Sequence, residues 1–114
     1  MKITHTFVGV PVSDFAAAYK WYLGLFGRAA DMFPSDGEAV WRLTPNSSVY
    51  VVADAKRAGN GLLTLAVDDL DAYANRLRLE GLTPDEHSAA SPRRLMISDD
   101  DGNTVKLFAD PAPH

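Results

Sequence analysis

The chain has no cysteine among its 114 residues. Disulfides, thiolate metal sites and cysteine nucleophiles are therefore excluded. Positive charge is also short. Eleven Lys and Arg stand against 15 Asp and Glu, a formal net charge of −4. Nucleic acid asks for a basic face, so it is not an expected partner. No apolar run approaches the roughly 18 residues that a membrane span needs. Met1-Lys2-Ile3-Thr4-His5 shows no secretory leader pattern. The expectation is a soluble, cytoplasmic protein without a membrane partner. There is no glycine-rich phosphate loop, Ser-x-x-Lys pair or nucleophile elbow. His5, His87 and His114 are too scattered to form a ligand cluster.

What the chain does have is a duplication. Val12-Ser13-Asp14-Phe15 opens one apolar-periodic stretch and Val67-Asp68-Asp69-Leu70 another, at an offset of 55 residues. Val49-Tyr50-Val51-Val52-Ala53-Asp54 returns as Val105-Lys106-Leu107-Phe108-Ala109-Asp110, at an offset of 56. A repeat at fixed spacing dictates architecture before any single residue does. Hydrophobic content of 46% and charged content of 23% are those of a globular chain, so disorder is excluded. One domain, residues 1–114, is expected, with module one about 1–57 and module two about 58–114.

Each module reads strand-helix-strand-strand-strand. Residues 3–12 alternate as a strand, and Asp14 caps a helix over about 14–26 that stops at Gly27. Ala29–Phe33, Ala39–Thr44 and Val49–Ala53 are the next strands. Asp54–Gly61 is a connector, with Gly59-Asn60-Gly61 its turn chemistry. The order then restarts. Leu62–Val67 is a strand, and Asp69 caps a helix that places Leu70, Tyr73, Ala74 and Leu77 on its inner face. Short strands follow near Thr83–His87, at Leu95–Ser98 and at Thr104–Ala109. Ser88–Arg93 reads as a loop, Arg93-Arg94 as solvated charge and Pro111–His114 as a frayed tail. Asp99-Asp100-Asp101-Gly102 is a turn, because its spacing fails the calcium-loop pattern. The expected fold class is α+β. The two tandem βαβββ modules form a curved eight-stranded mixed sheet around a cleft, with the helices on its outer face.

Alternation assigns the faces. Val8, Val10, Val12, Leu63, Leu65, Val67, Val105 and Leu107 belong under the helices. His5, Phe7, Gly9, Leu62, Thr64, Ala66, Lys106 and Phe108 then line the cleft, and the offset-56 echo places Tyr50 where Lys106 sits. Phe7, Tyr50, Leu62 and Lys106 are thus four symmetry-related cleft positions. Lys106 is a candidate for a ligand's carboxylate or phosphate. Phe7, Tyr50, Phe108 and Trp41 are candidates for an aromatic clamp on a flat ligand, although alternation leaves the face of Trp41 open. Tyr19, Trp21 and Tyr22 belong to the core.

The paired pattern resembles the vicinal oxygen chelate superfamily of glyoxalase I, extradiol dioxygenases, fosfomycin-resistance and bleomycin-resistance proteins. The resemblance rests on Val12-Ser13-Asp14, Trp21-Tyr22, Leu25-Phe26-Gly27, Val67-Asp68-Asp69-Leu70 and Asp99-Asp100-Asp101-Gly102-Asn103. It spans nearly the whole chain. It implies four metal-ligand slots: a His five residues before each Val-x-Asp valine, and a carboxylate in the fourth and eighth strands. Those slots fall on Phe7, Leu62, Tyr50 and Lys106. None offers the imidazole nitrogen or carboxylate oxygen that a hard or borderline cation wants, and an ammonium repels it. No metal and no other cofactor is therefore expected. The resemblance implies a bleomycin-resistance-type protein that binds a small aromatic or anionic molecule at Phe7, Trp41, Tyr50, Leu62, Thr64, Lys106 and Phe108, as a homodimer. No residue is singled out as catalytic. Two alternatives stay open: a lyase, isomerase or dioxygenase of the same superfamily with atypical ligands, or a degenerate member kept for protein interaction.

Overall fold

Each module begins with a strand and a helix capped by aspartate. Strand β1 (Thr6–Val12) runs into helix α1 (Phe15–Phe26), whose first-turn Ala17 N–H is accepted by the Asp14 carboxylate at 3.2 Å. Gly27 ends α1 in the left-handed region at φ 74°. Asp69 caps α2 (Leu70–Leu79) in the same way, accepting from Ala72 N–H at 3.0 Å. The computed structural model describes residues 1–87 and 93–110. The tail 111–114, and 88–92 of the expected loop, lie outside the described residues.

The remaining strands are β2 (Met32–Ser35), β3 (Glu38–Thr44), β4 (Ser47–Ala53), β5 (Leu62–Val67), β6 (Asp85–His87), β7 (Arg94–Ser98) and β8 (Thr104–Ala109). The fold is α+β, built of two tandem modules. The strands form two four-stranded sheets of identical topology, ordered β1-β4-β3-β2 and β5-β8-β7-β6, rather than one continuous sheet of eight. In each, the first strand pairs in parallel with the last and the others pair antiparallel. A local reason for the break lies at the end of β1. Pro11 has no N–H to donate, and its carbonyl accepts from the Asn103 side chain at 2.7 Å. Asp31, just before β2, accepts from the Arg42 backbone N–H at 2.6 Å and from Arg28 at 3.0 Å, and these bonds hold its carboxyl below the usual range.

The core lies between helices and sheets. Val10, Val12, Val49, Val51, Ala39 and Trp41 are buried with Ala18, Tyr22 and Leu25 of α1. Leu63, Leu95, Ile97, Val105 and Leu107 are buried with Leu70, Ala74 and Leu77 of α2. Val8, expected with this set, is exposed. The molecule measures 39 × 39 × 23 Å, so its short axis holds one helix layer on one sheet layer. The sheets do not close on themselves.

Two polar junctions hold the modules together. In the first, α2 caps α1. Arg76 Nη1 donates to Gly24 O at 2.7 Å, Arg76 Nη2 donates to Leu25 O, and the Tyr73 hydroxyl also donates to Leu25 O at 2.7 Å. These last-turn carbonyls have no partner within the helix, and a cation there meets the negative end of its dipole. Arg76→Ala is expected to cost about 2 kcal/mol, the worth of hydrogen bonds to a charged donor. Urea denaturation checks this. Lys should restore little of the loss, because one ammonium cannot reproduce the guanidinium fork.

The second junction is the Asp99–Asn103 turn. Asp99 is 8% exposed, and four donors satisfy it. Asp101 N–H and Asn103 N–H reach Oδ1 at 3.0 and 2.9 Å, while the Tyr22 hydroxyl and Asn103 Nδ2 reach Oδ2 at 2.8 and 2.9 Å. Burial first, and then the Asp99 charge, push the Tyr22 phenol well up, so it stays a donor. Asn103 Oδ1 accepts from Gly59 N–H at 3.1 Å and Gly61 N–H at 2.7 Å. Gly59 sits at φ 94°, and a Cβ there would stand 2.4 Å from Asp101 O. The turn expected from sequence is thus also the pin through β1, α1 and the connector.

Candidate functional site

The sheet face opposite the helices carries most of the expected cleft residues. Gly9 pairs with Tyr50 and Phe7 with Ser48 in the first sheet. In the second, Leu62 pairs with Thr104, Thr64 with Lys106 and Ala66 with Phe108. The two faces are left open. Leu62 is 81% exposed and Phe7 60%, although both are large apolar strand residues.

Trp41 is a correction. It is 0% exposed and sits under α1, not in the cleft. Its Nε1 donates to Arg28 O at 2.9 Å, and its ring stacks on Tyr19 at 5.5 Å and packs against Phe26 at 5.1 Å. The cause is register: Trp41 pairs with Val49, a core residue. Sequence parity failed because Ala39, Val40, Trp41 and Leu43 are apolar on both faces of β3.

The most chemically distinctive part of the face is a small cavity of about 190 Å³ on the second module. Thr64, Arg94, Lys106 and Phe108 line it. Arg94 pairs with Phe108 and Met96 with Lys106, so the two cations are diagonal neighbours on one face. Among the described residues neither side chain has a hydrogen bond or an ion pair. Arg93, next in sequence, behaves differently. It bonds Asp71 at 2.7 Å and thereby holds that carboxyl below the usual range. Sequence reading missed Arg94 because it started the strand at Leu95. The alternation of Arg94, Met96 and Ser98 with apolar Leu95 and Ile97 carries the signal.

The first module has a larger open cavity of about 480 Å³, floored by Gly9, Pro11, Tyr50 and Val52 and rimmed by Lys56 and Arg57. His5 lies at the edge of the same sheet. Its Nε2 is 2.8 Å from Ser48 Oγ, and its ring centroid is 4.5 Å from that of Phe7. His87 lies in β6 and His114 outside the described residues. Among the described residues no group of three His, Cys, Asp or Glu side chains is placed to hold a metal ion. The donor set at the four family slots, Phe7, Leu62, Tyr50 and Lys106, does not fit a divalent cation.

Fold and duplication together define a two-module protein with a solvent-open sheet face. The chain belongs to the Glyoxalase/Bleomycin resistance protein/Dioxygenase superfamily, whose family model matches residues 2–107. A glyoxalase/bleomycin resistance protein from Catenulispora acidiphila is 33% identical, over 94% of this chain and 98% of that one, with a TM-score of 0.89. TnmS3, an antibiotic binding protein from Streptomyces sp. CB03234, is 28% identical over 96% and 98%, with a TM-score of 0.76. A lactoylglutathione lyase from Agrobacterium tumefaciens, at 16% identity over 91% of each chain and a TM-score of 0.73, shares the fold. No curated protein sequence matches the chain.

Proposed function

We propose that this protein binds, as a homodimer, a small organic anion that carries a flat ring, and sequesters it rather than converts it. One observation carries the reading: Arg94 and Lys106, neither with a hydrogen bond or ion pair among the described residues, line one cavity with Thr64 and Phe108. Diagonal neighbours on adjacent strands are within reach of long side chains, so two cations there can close on one anion. A ligand carboxylate, sulfonate or phosphate meets them with charge-assisted hydrogen bonds, and Phe108 offers its ring to the rest of the molecule. The likeness to an antibiotic binding protein agrees with this role. The exposed Leu62 and Phe7 are the reason for a second copy, whose own open face covers them.

Native mass spectrometry of the purified protein tests both parts. The expected spectrum is a dimer carrying an anionic aromatic adduct that acid or high salt releases. A monomer that acquires no adduct from a panel of aromatic carboxylates contradicts the reading. So does a stoichiometric divalent metal.

A further inference from the structure

Strand β6 is short, and that leaves part of the edge of β7 uncovered. β6 begins at Asp85, which pairs with Met96. The residue before it is Pro84, which has no N–H to carry the ladder on. Ser98, two residues further along β7, therefore has no strand on its outer side. Backbone bonding alternates along an antiparallel pair. Asp99 N–H donates to Asn103 O at 3.0 Å, so the next pair, Ser98 and Thr104, exchanges no backbone bonds. Thr104 N–H turns instead to Gly61 O at 2.9 Å. The N–H and C=O of Ser98 turn the other way, past the end of β6. Among the described residues neither has a hydrogen-bond partner.

The first module closes the same place. The repeat sets Arg42 where Ser98 stands, and the Met32–Val40 pair where Asp85–Met96 stands. Asp31 thus takes the place of Pro84, and its carboxylate accepts from Arg42 N–H at 2.6 Å. Proline offers no such group. A cavity of about 650 Å³ lies over the open groups instead, a volume that suits a small organic molecule. Trp21, Asp85, Met96, Ser98 and Asp100 are among its lining residues. Trp21 reaches it from α1 of the other module. The lining includes no lysine or arginine, and Asp85 and Asp100 have no hydrogen-bonded or ion-paired partner for their carboxylates among the described residues.

We infer that this cavity is a second binding site, for a flat uncharged heterocycle whose edge carries an N–H beside a carbonyl oxygen, as a lactam does. The ligand's N–H donates to Ser98 O and its oxygen accepts from Ser98 N–H, as a paired strand residue would. The ring packs on Trp21, and the two carboxylates turn anions away. Because β7 ends at Ser98, the gap admits one amide-like edge and not a whole strand. The site stands independently of the anion proposed above, since the two cavities share no lining residue.

Chemical-shift titration with 2-quinolone and N-methyl-2-quinolone, which differ in the donor, tests it. 2-Quinolone is expected to shift the Ser98 amide and the Trp21 indole N–H saturably. N-methylation should weaken it about tenfold, because it removes one hydrogen bond and leaves Ser98 O facing a methyl group. 2-Quinolone-4-carboxylate should bind here at least about fivefold more weakly than 2-quinolone, and should recover when Asp85→Asn and Asp100→Asn are combined. Ser98→Ala keeps the backbone groups and should bind within about twofold. Ser98→Pro removes an N–H that the ladder does not use, so it should keep the circular dichroism of wild type and weaken 2-quinolone about tenfold, read at the Trp21 indole. Equal affinity for the two quinolones, shifts confined to residues away from Ser98 and Trp21, or no uptake of 2-quinolone overturns the inference. The comparison of the two quinolones uses the wild-type chain, so it decides the matter even where Ser98→Pro fails to fold.

Discussion

Asn103→Ala is expected to lower the free energy of unfolding by about 3–5 kcal/mol, more than any other single truncation proposed for this chain. The side chain is 1% exposed and makes four hydrogen bonds to three separate stretches of chain. Its Oδ1 holds the N–H groups of Gly59 and Gly61, and its Nδ2 holds Pro11 O and Asp99 Oδ2. Alanine strands all four partners. A buried group left without a partner costs about 1–3 kcal/mol, and water entering the vacated space recovers part of that. The melting temperature should fall by about 12–20 °C. Asn103→Asp should be no milder, because it sets a second carboxylate against the buried Asp99. Urea denaturation followed by circular dichroism checks the series. A loss under about 1 kcal/mol for Asn103→Ala would mean that the turn does not pin the modules.

The second large effect is on binding. Replacing both Arg94 and Lys106 with alanine is expected to weaken 2-naphthoate by about 30- to 300-fold, since each charge-assisted bond is worth about 1.5–3 kcal/mol and part of it is screened at an open site. Wild-type affinity should fall as salt rises, while the double variant should be nearly indifferent to it. Stability should move the other way. Two like charges are removed from diagonal positions and no described hydrogen bond or ion pair is lost, so the melting temperature should hold or rise slightly. That opposition separates the residues of this pair from those of the Asn103 junction. Surface side chains that cost stability and serve binding lose function without losing the fold when truncated. A double variant that binds like wild type, or that loses affinity only because it has begun to unfold, contradicts the assignment.

The legible and illegible parts of the sequence divide along physical lines. Helix starts were legible because Asp14 and Asp69 act on neighbours three residues away. Phe7, Tyr50, Leu62 and Lys106 were legible because alternation and the repeat together fix which face a residue takes. Trp41 was not, since a strand apolar on both faces carries no parity. Arg94 was lost to a strand boundary set one residue late. The reach of Asn103 was hidden for another reason. Asp-Gly-Asn announces a turn, but nothing local says that its side chain will bond residues 42, 44 and 92 positions away. The division into two sheets was equally hidden, because strand order within a module says nothing about whether the modules' free edges join.

Chemical-shift mapping of the isotopically labelled protein during a titration with 2-naphthoate most directly tests whether the open face around Arg94 and Lys106 holds an organic anion. The expected result is a set of saturating shifts at Thr64, Arg94, Lys106 and Phe108, with no matching response to manganese or zinc. Shifts confined to other surfaces, or a metal response centred on Phe7, Tyr50, Leu62 and Lys106, would contradict it.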